Sequence, residues 1–425
     1  MVTNSPTSTP NDLRDAPLNG IRVLDLSRVL AGPLCTQYMG DMGAEVIKIE
    51  NLGHGDDMRV WPPIRNSPEN DVAVGSPFLS VNRNKRSIAL DIKSNDGQAI
   101  LQQLISTVDV VIESFGPGVA ERLGVDALTL RKKHPRLICC SVSGFGKVGS
   151  ASNNKGYDVI LQAFCGMISV TGSSDAPPVR APYSPVDQGT GLHALIGILA
   201  ALLSRTQTGE GSAVEVSLFD TATGLMGYML QNFWERGTLP SRFGVGHEAL
   251  CPYEAFDASD KPFMLGIAND NLWQVFCKLA GLEAIVDDPM FATNTKRVLN
   301  RSETLDHVKK AILRKTRSEW LGCLDAAGIP CSPIHDFQEF SEHPHMRESG
   351  MLYDYIHPVL GQLNSIAQPI KINGKRGKQR LPVPLHGEHT DEILLEIGLS
   401  SEKIKNLKSK GIINSSPEKN RFTTY

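Results

Sequence analysis

Residues 21–50 read IRVLDLSRVLAGPLCTQYMGDMGAEVIKIE, and this stretch decides the fold class. Ile21–Leu26 is an apolar run interrupted on one face by Asp25. Ala31-Gly32-Pro33 breaks it, and Leu34–Met42 suits a helix ending at Gly43. Glu45–Glu50 (EVIKIE) then alternates as a second strand. A strand–helix–strand start this short predicts a parallel sheet with a right-handed crossover, hence an α/β fold. Glu50 stands where a dinucleotide fold holds a ribose. The first turn offers only AGP in place of GxGxxG, so the nicotinamide-cofactor reading is weak.

The same order repeats downstream. Asn51–Asn84 is polar, proline-broken and expected to be loop-rich, ending in the basic cluster Arg83, Lys85 and Arg86. That cluster reads as a solvated turn or a phosphate site. A strand over Ser87–Ile92, a helix over Gly97–Val108 and a strand over Asp109–Glu113 follow. Ser114-Phe115-Gly116-Pro117-Gly118 is a glycine-bracketed turn between a strand's end and a helix's start, the place where open α/β sheets bind ligands. Leu137–Val142, the turn Gly144–Gly149 and a helix from Gly156-Tyr157-Asp158 to about Ile168 repeat the unit.

In VRAPYSPVDQGTGLHALIGILAALLSRTQTGEGSAVEVSL (179–218), a proline-broken approach ends in Asp187. The flexible Gln188–Gly191 and an apolar run, Leu192–Leu203, come next. The run is too long for a typical strand and too short to span a bilayer, so it reads as a buried helix. A strand over Ala213–Leu218 and a helix over Asp220–Arg236 follow it. Asp187 then sits just before a helix N-terminus, where free N–H groups favour negative charge. One role for it is an N-cap. A carboxylate beside small residues, with room for a ligand, also has the character of a nucleophile. Local chemistry leaves both open.

Residues 238–260 read as loop, with Gly244, Gly246 and His247; a strand over Lys261–Ile267 and helices over Asn271–Ala280, Ser302–Arg314 and Ser318–Ala327 make a smaller α+β unit inserted into the first. A chain of 425 residues holds two domains comfortably. The expected division is a disordered lead-in over 1–17, a large domain over 18–225, a small domain with linkers over 226–335, and a return to the large domain over 336–425. With 41% hydrophobic residues and a net charge of −3, nothing points to nucleic acid or a membrane as partner. Eight scattered cysteines show no metal-ligand spacing, so no metal is expected, and they read as reduced thiols of a cytoplasmic protein. The N-terminus lacks an apolar signal core.

Eight blocks resemble the family III CoA-transferases, the CaiB–BaiF family. They are LNGIRVLDLSRVLAGP (18–33), MGAEVIKIE (42–50), NRNKRSIALDIK (82–93), ESFGPGVAERLG (113–124), SGFGKVG (143–149), GYD (156–158), VDQGTG (186–191) and GEHTDEIL (387–394). The resemblance implies transfer of CoA between carboxylic acids, with a CoA thioester as substrate and no tightly bound cofactor. It also implies a Rossmann-like large domain, a smaller inserted domain, and a homodimer of two interlocked rings.

The family's catalytic aspartate falls on Asp187. Carried-over CoA positions are Leu30 and Ala31, Leu90, Asp91, Ile92 and Lys93, Ser114, Phe115 and Gly116, Arg122, Lys155 and Tyr157. Lys93, Arg122 and Lys155 supply charge for phosphates; Leu90 and Phe115 supply apolar walls. The loop of Gly244, Gly246 and His247 resembles the family's mobile cover. Backbone N–H groups near Gly189–Gly191 are the expected oxyanion donors. Leu30 stands where the formyl-CoA transferases have a glutamine, which disfavours formyl or oxalyl chemistry. Asn51 replaces an arginine and puts one phosphate contact in doubt.

Two rival readings remain. The α-methylacyl-CoA racemases share the fold and pair a histidine, in a GHD triplet, with the aspartate; here the triplet is GYD. Tyrosine, with a pKa near ~10, is a poor exchange partner at neutral pH. A non-catalytic CoA-binding protein would have no use for Asp187. The segments VRAPYSPVDQGTG (179–191) and GVGHEALCPYEAF (244–256) resemble dicarboxylate-using transferases of the succinyl-CoA:glutarate type. Succinyl-CoA as donor and a C4–C6 dicarboxylate as acceptor are the expected substrates, with Arg180 or His247 as candidates to hold the distal carboxylate.

Overall fold

The structure, a computed structural model, describes residues 16–415; the expected lead-in lies, but for its last two residues, outside the described residues. The chain forms two compact units. The first runs to Cys165, resumes over Pro182–Gly227, and takes the chain from Pro344 onward.

In this first unit, strand β1 (Arg22–Leu26), helix α1 (Ala31–Asp41) and strand β2 (Glu45–Glu50) form the expected opening. They are followed by β3 (Lys85–Leu90), helix α2 (Asn95–Ile105), β4 (Val110–Glu113) and β5 (Ile138–Ser143). Then come α3 (Asp158–Phe164), α4 (Pro185–Thr208), β6 (Ala213–Ser217), α5 (Leu218–Leu225) and the short β7 (Ile413–Asn414). The sheet order is β7–β3–β2–β1–β4–β5–β6, parallel except for β7. The order β3–β2–β1–β4–β5–β6 is that of doubly wound dinucleotide folds, whose winding reverses between β1 and β4. Strand patterning explains the sheet's burial. Leu24, Ile47, Ile88 and Val111 meet α2, through Leu101 and Leu104, in one core.

Several expectations change in three dimensions. The 51–84 segment is not plain loop: Ile64–Ser67 and Val72–Gly75 pair as an antiparallel hairpin. The Asp220–Arg236 helix is two helices, α5 and Gly227–Arg236, separated at Met226. The basic cluster is neither solvated nor a phosphate site. Arg83 grips Asp41 at 2.6 Å, Lys85 meets Asp25 at 3.2 Å, and Arg86 binds Glu392 and Glu396 at 2.7 Å. Glu50, the ribose candidate, is buried and held by Arg59 and Ser87. Burial opposes its charge, but Arg59 overcomes that and holds the carboxyl far below its usual range.

The second unit comprises Gly166–Ala181 and Tyr228–His343. A three-stranded antiparallel sheet (Cys331–Pro333, Pro262–Gly266, Tyr253–Asp257) packs with helices Asp270–Ala280, Arg301–Ile312 and Arg317–Ala326. Trp273, Phe276, Phe263 and Trp320 fill its core. The buried Arg297 guanidinium ties the Cys251 and Phe291 carbonyls to Asp270.

Candidate active site

At the carboxyl ends of β1, β4 and β5, the first unit encloses a cavity of about 470 Å³. Residues 28–32, 113–118, 141–144 and 152–157 contribute to its walls, and Asp187 closes one side. This is the crevice at the reversal of strand order, where open α/β sheets bind ligands.

The helix bearing Asp187 starts earlier than its sequence indicates. Ser184 takes a left-handed conformation (φ 52°), Pro185 occupies the first helical position, and Gln188–Gly191 are helical rather than flexible. Asp187 therefore lies in the first turn. The start of α4 has no side-chain cap of its own. Its N–H groups are satisfied from elsewhere: the Asp158 carboxylate accepts Val186 N–H at 2.8 Å and Asp187 N–H at 3.1 Å, and the Ser184 carbonyl accepts Gln188 N–H at 3.1 Å. Pro185 has none to satisfy. In the sequence, Asp158 is an aspartate that opens its own helix, and nothing in the GYD triplet signals that it caps a different one.

The small residues of VDQGTG serve packing. A Cβ on Gly191 would fall 2.6 Å from the Ala31 carbonyl oxygen, and one on Gly189 would fall 2.9 Å from Thr221. α4 thus lies hard against α1 and α5. The oxyanion donors expected at Gly189–Gly191 are spent on the helix ladder. The start of α1 is different. No side chain caps it, and Pro33 has no N–H, so the Ala31 and Gly32 amides have no side-chain acceptor, and both residues line the same cavity as Asp187.

Electrostatics single out Asp187. Burial first, and the neighbouring Asp158 second, push its carboxyl up to about 7. In β1, Asp25 is wholly buried with Lys85 and Lys48. Burial works against its charge, yet these ammonium groups and the Ser27 and Thr36 hydroxyls hold it below the ordinary value. Among the described residues, no group of three or more His, Cys, Asp or Glu is placed to hold a metal ion.

The family model for CoA-transferase family III matches residues 18–390. The chain belongs to CoA-transferase family III. The mouse succinyl-CoA:glutarate CoA-transferase is 34% identical over 97% of this chain and 93% of its own length. An acyl-CoA transferase of Fusarium pseudograminearum is 38% identical over 93% of this chain and 88% of its own. The crystal structure of a CaiB/BaiF family protein from Brucella suis superposes with a TM-score of 0.79 at 31% identity, covering 90% of this chain and 99% of that one.

For this CoA-transferase, the positions implied by the resemblance divide into two sets. Leu30, Ala31, Ser114, Phe115, Gly116, Lys155, Tyr157 and Asp187 come together on the cavity. Arg122 lies just outside its lining, its guanidinium 3.2 Å from where a Cβ on Gly118 would be. The other positions are not on the cavity wall. Leu90, at the end of β3, is buried in the core with Leu101 and Leu104 of α2 and with Ile393, Ile404 and Leu407, and is not on the cavity wall. Asp91 turns back to its own Lys93 N–H, Ile92 packs against the core, and Lys93 is exposed. Asn51 orders its own turn, bonding Gly53 N–H and the Gly55 carbonyl.

Gly244, Gly246 and His247 belong to the second unit. Gly244 needs its left-handed φ of 60°, the Gly246 N–H bonds Phe243, and the His247 ring accepts the Ala249 N–H at 3.1 Å. Arg180 is exposed. Helix α4, at 24 residues, is long and apolar enough by length and composition to cross a membrane, contrary to the length read from its apolar run; here it packs on α1, β5 and β6.

Proposed function

We propose that this chain transfers CoA from succinyl-CoA to a C4–C6 dicarboxylate, with Asp187 as the nucleophile. The observation that carries the proposal is the half-buried Asp187 on the wall of the cavity that also receives the uncapped start of α1. The named activities of the similar mouse protein support the choice of acids.

In the first step the Asp187 carboxylate attacks the thioester carbonyl, expelling CoA thiolate and forming an aspartyl–acyl anhydride. The thiolate attacks the aspartyl carbonyl, the donor acid leaves, and an aspartyl-CoA thioester remains. The acceptor carboxylate attacks that thioester, expelling thiolate and forming a second anhydride. Thiolate then attacks the acceptor's acyl carbon, and the Asp187 carboxylate is restored. Each tetrahedral intermediate carries an oxyanion, and the Ala31 and Gly32 amides are the proposed donors. Ser114, Phe115, Gly116, Lys155 and Tyr157 line the path for the nucleotide end of CoA, with Lys155 facing phosphate. Arg122 and Lys93 are assigned to the outer rim. Tyr157 is exposed and its phenol is a poor proton-exchange group at neutral pH, which supports transfer over racemisation.

The second compact unit is proposed as the inserted small domain, with Gly244, Gly246 and His247 on a cover that keeps water from the anhydrides. Two copies are proposed to interlock as rings. The exposed Val159, Ile160 and Phe164 of α3, with Ile196 and Leu203 of α4, give a second copy apolar surface to bury. The cysteines, all free, support a reducing compartment such as the cytoplasm.

Trapping tests the nucleophile. Enzyme turning over succinyl-CoA and glutarate, quenched with hydroxylamine, is expected to carry a hydroxamate at Asp187 by peptide mass spectrometry. An unmodified Asp187 with turnover intact would remove the covalent mechanism, and activity only with monocarboxylic acids would remove the dicarboxylate assignment.

A further inference from the structure

We propose that Asp158 is a positioning residue for Asp187: it takes the free amides at the start of α4, so that the Asp187 carboxylate is left for substrate instead of capping its own helix. The inference rests on the nucleophilic role proposed for Asp187.

A carboxylate in the third position of a helix is drawn to the free amides of the first turn, which carry the positive end of the helix dipole. Asp187 occupies that position, after Pro185 and Val186. The amides it would serve are already bound by one oxygen of Asp158, at 2.8 and 3.1 Å. The other oxygen of Asp158 accepts from Gln162, one turn along α3. Among the described residues nothing donates a hydrogen bond to the Asp187 carboxylate. Asp158 is itself buried and rigidly placed. Gly156, two residues earlier, has no room for a side chain, since a Cβ there would fall 2.9 Å from Gly144 Cα. Phe164, at the far end of α3, packs edge-on against Phe145 at 5.1 Å.

Asp158 also places a negative charge beside the nucleophile. Burial is the larger cause of the raised Asp187 carboxyl, and Asp158 is the other. The remaining ionisable groups around the cavity are Arg28, Glu113, Glu121, Asp126, Cys139, Cys140, Lys147, Lys155 and Tyr157, while His193 of α4 bonds Thr221 of α5 and the Ser217 hydroxyl donates to Asp220 of α5. A free nucleophile with a raised carboxyl is more basic when it ionises, and its repulsion from Asp158 is relieved when an acyl group neutralises it.

The test measures Asp187 without turnover. Full-length protein with 13C-carboxyl aspartate is titrated by NMR, the Asp187 resonance being assigned by its loss in Asp187→Asn. Asp158→Asn keeps an acceptor for both amides but removes the charge. It is expected to lower the Asp187 midpoint by about one pH unit, with amide exchange at Val186 and Asp187 still slow. Asp158→Ala is expected to lower the midpoint similarly and to speed exchange at both amides about tenfold or more. An unchanged midpoint in Asp158→Asn, or unchanged exchange in Asp158→Ala, overturns the proposal. Failure of trapping at Asp187 would remove the nucleophilic role and leave these titrations readable.

Discussion

The Asp56 carboxylate accepts the backbone N–H of Val29 at 3.2 Å while Val29 sits in the left-handed region at φ 68°. A β-branched residue is strained there, so something must hold it. Lys48 does so from behind. Its ammonium, wholly buried, meets Asp56 at 2.9 Å and the Ser27 carbonyl at 2.9 Å. The turn this strap fixes leads directly into the Ala31 and Gly32 amides.

Lys48→Met would leave Asp56 as a buried carboxylate without its partner. The expected cost is about 3–5 kcal/mol of stability, read by urea unfolding. Among the molecules that remain folded, kcat should fall as the turn loosens. Full stability in this variant would show that the strap is not what holds Val29.

Gly191→Ala presses a methyl group onto the Ala31 carbonyl, which is backbone and cannot swing away. A loss of about 1–3 kcal/mol and a drop in kcat are expected, since the two helices must part where the nucleophile and the donor amides meet. Gly224→Ala, in α5 with open space around it, is the control: it should be neutral or stabilise by up to about 1 kcal/mol. Thermal unfolding and steady-state rates separate the two.

Asp187 is neutral below about 7 and ionised above it. Because attack requires the carboxylate, kcat/KM for succinyl-CoA should climb through about pH 6–8 and then level. Stability should move the other way. The unfolded chain releases this proton near the ordinary 3.8, so the folded state is progressively disfavoured as pH rises toward 7. Asp187→Asn should therefore unfold at a higher temperature than the parent at pH 8, with the gap closing toward pH 4. It should also lose at least about 10³-fold in transfer rate.

Lys155 is exposed on the cavity rim, whereas Arg83 is buried against Asp41. Lys155→Ala should raise KM for acyl-CoA about tenfold, an effect that shrinks at high salt, with stability unchanged. Arg83→Gln should do the reverse, lowering stability with KM intact. Equal effects on KM would return Arg83 to the phosphate site.

The parallel sheet was legible because each strand's pattern is local: EVIKIE alternates, and Val110–Glu113 is short, apolar and closed by glycine turns. Asp187 was legible as a candidate through the block that contains it, and it lines the cavity. The start of α4 was not. Pro185, Gly189 and Gly191 read as helix breakers in one dimension, yet Pro185 suits a first helical position and the glycines admit α1 and α5. The basic cluster misled for the same reason. Arg83, Lys85 and Arg86 look solvated until their acidic partners arrive from α1, β1 and the helix Thr390–Glu396.

The order of strands, the glycine turns at their ends and the aspartate at 187 are properties of the chain as written, because hydrophobic period and turn chemistry act over a few residues. What surrounds that aspartate was decided only by folding. Asp158 reaches the α4 amides from 28 positions away, and the α1 amides arrive from the other half of the sheet. Hydrogen bonds and charge act through space, so a carboxylate's neighbours, and with them its proton affinity, exist only once the chain has closed.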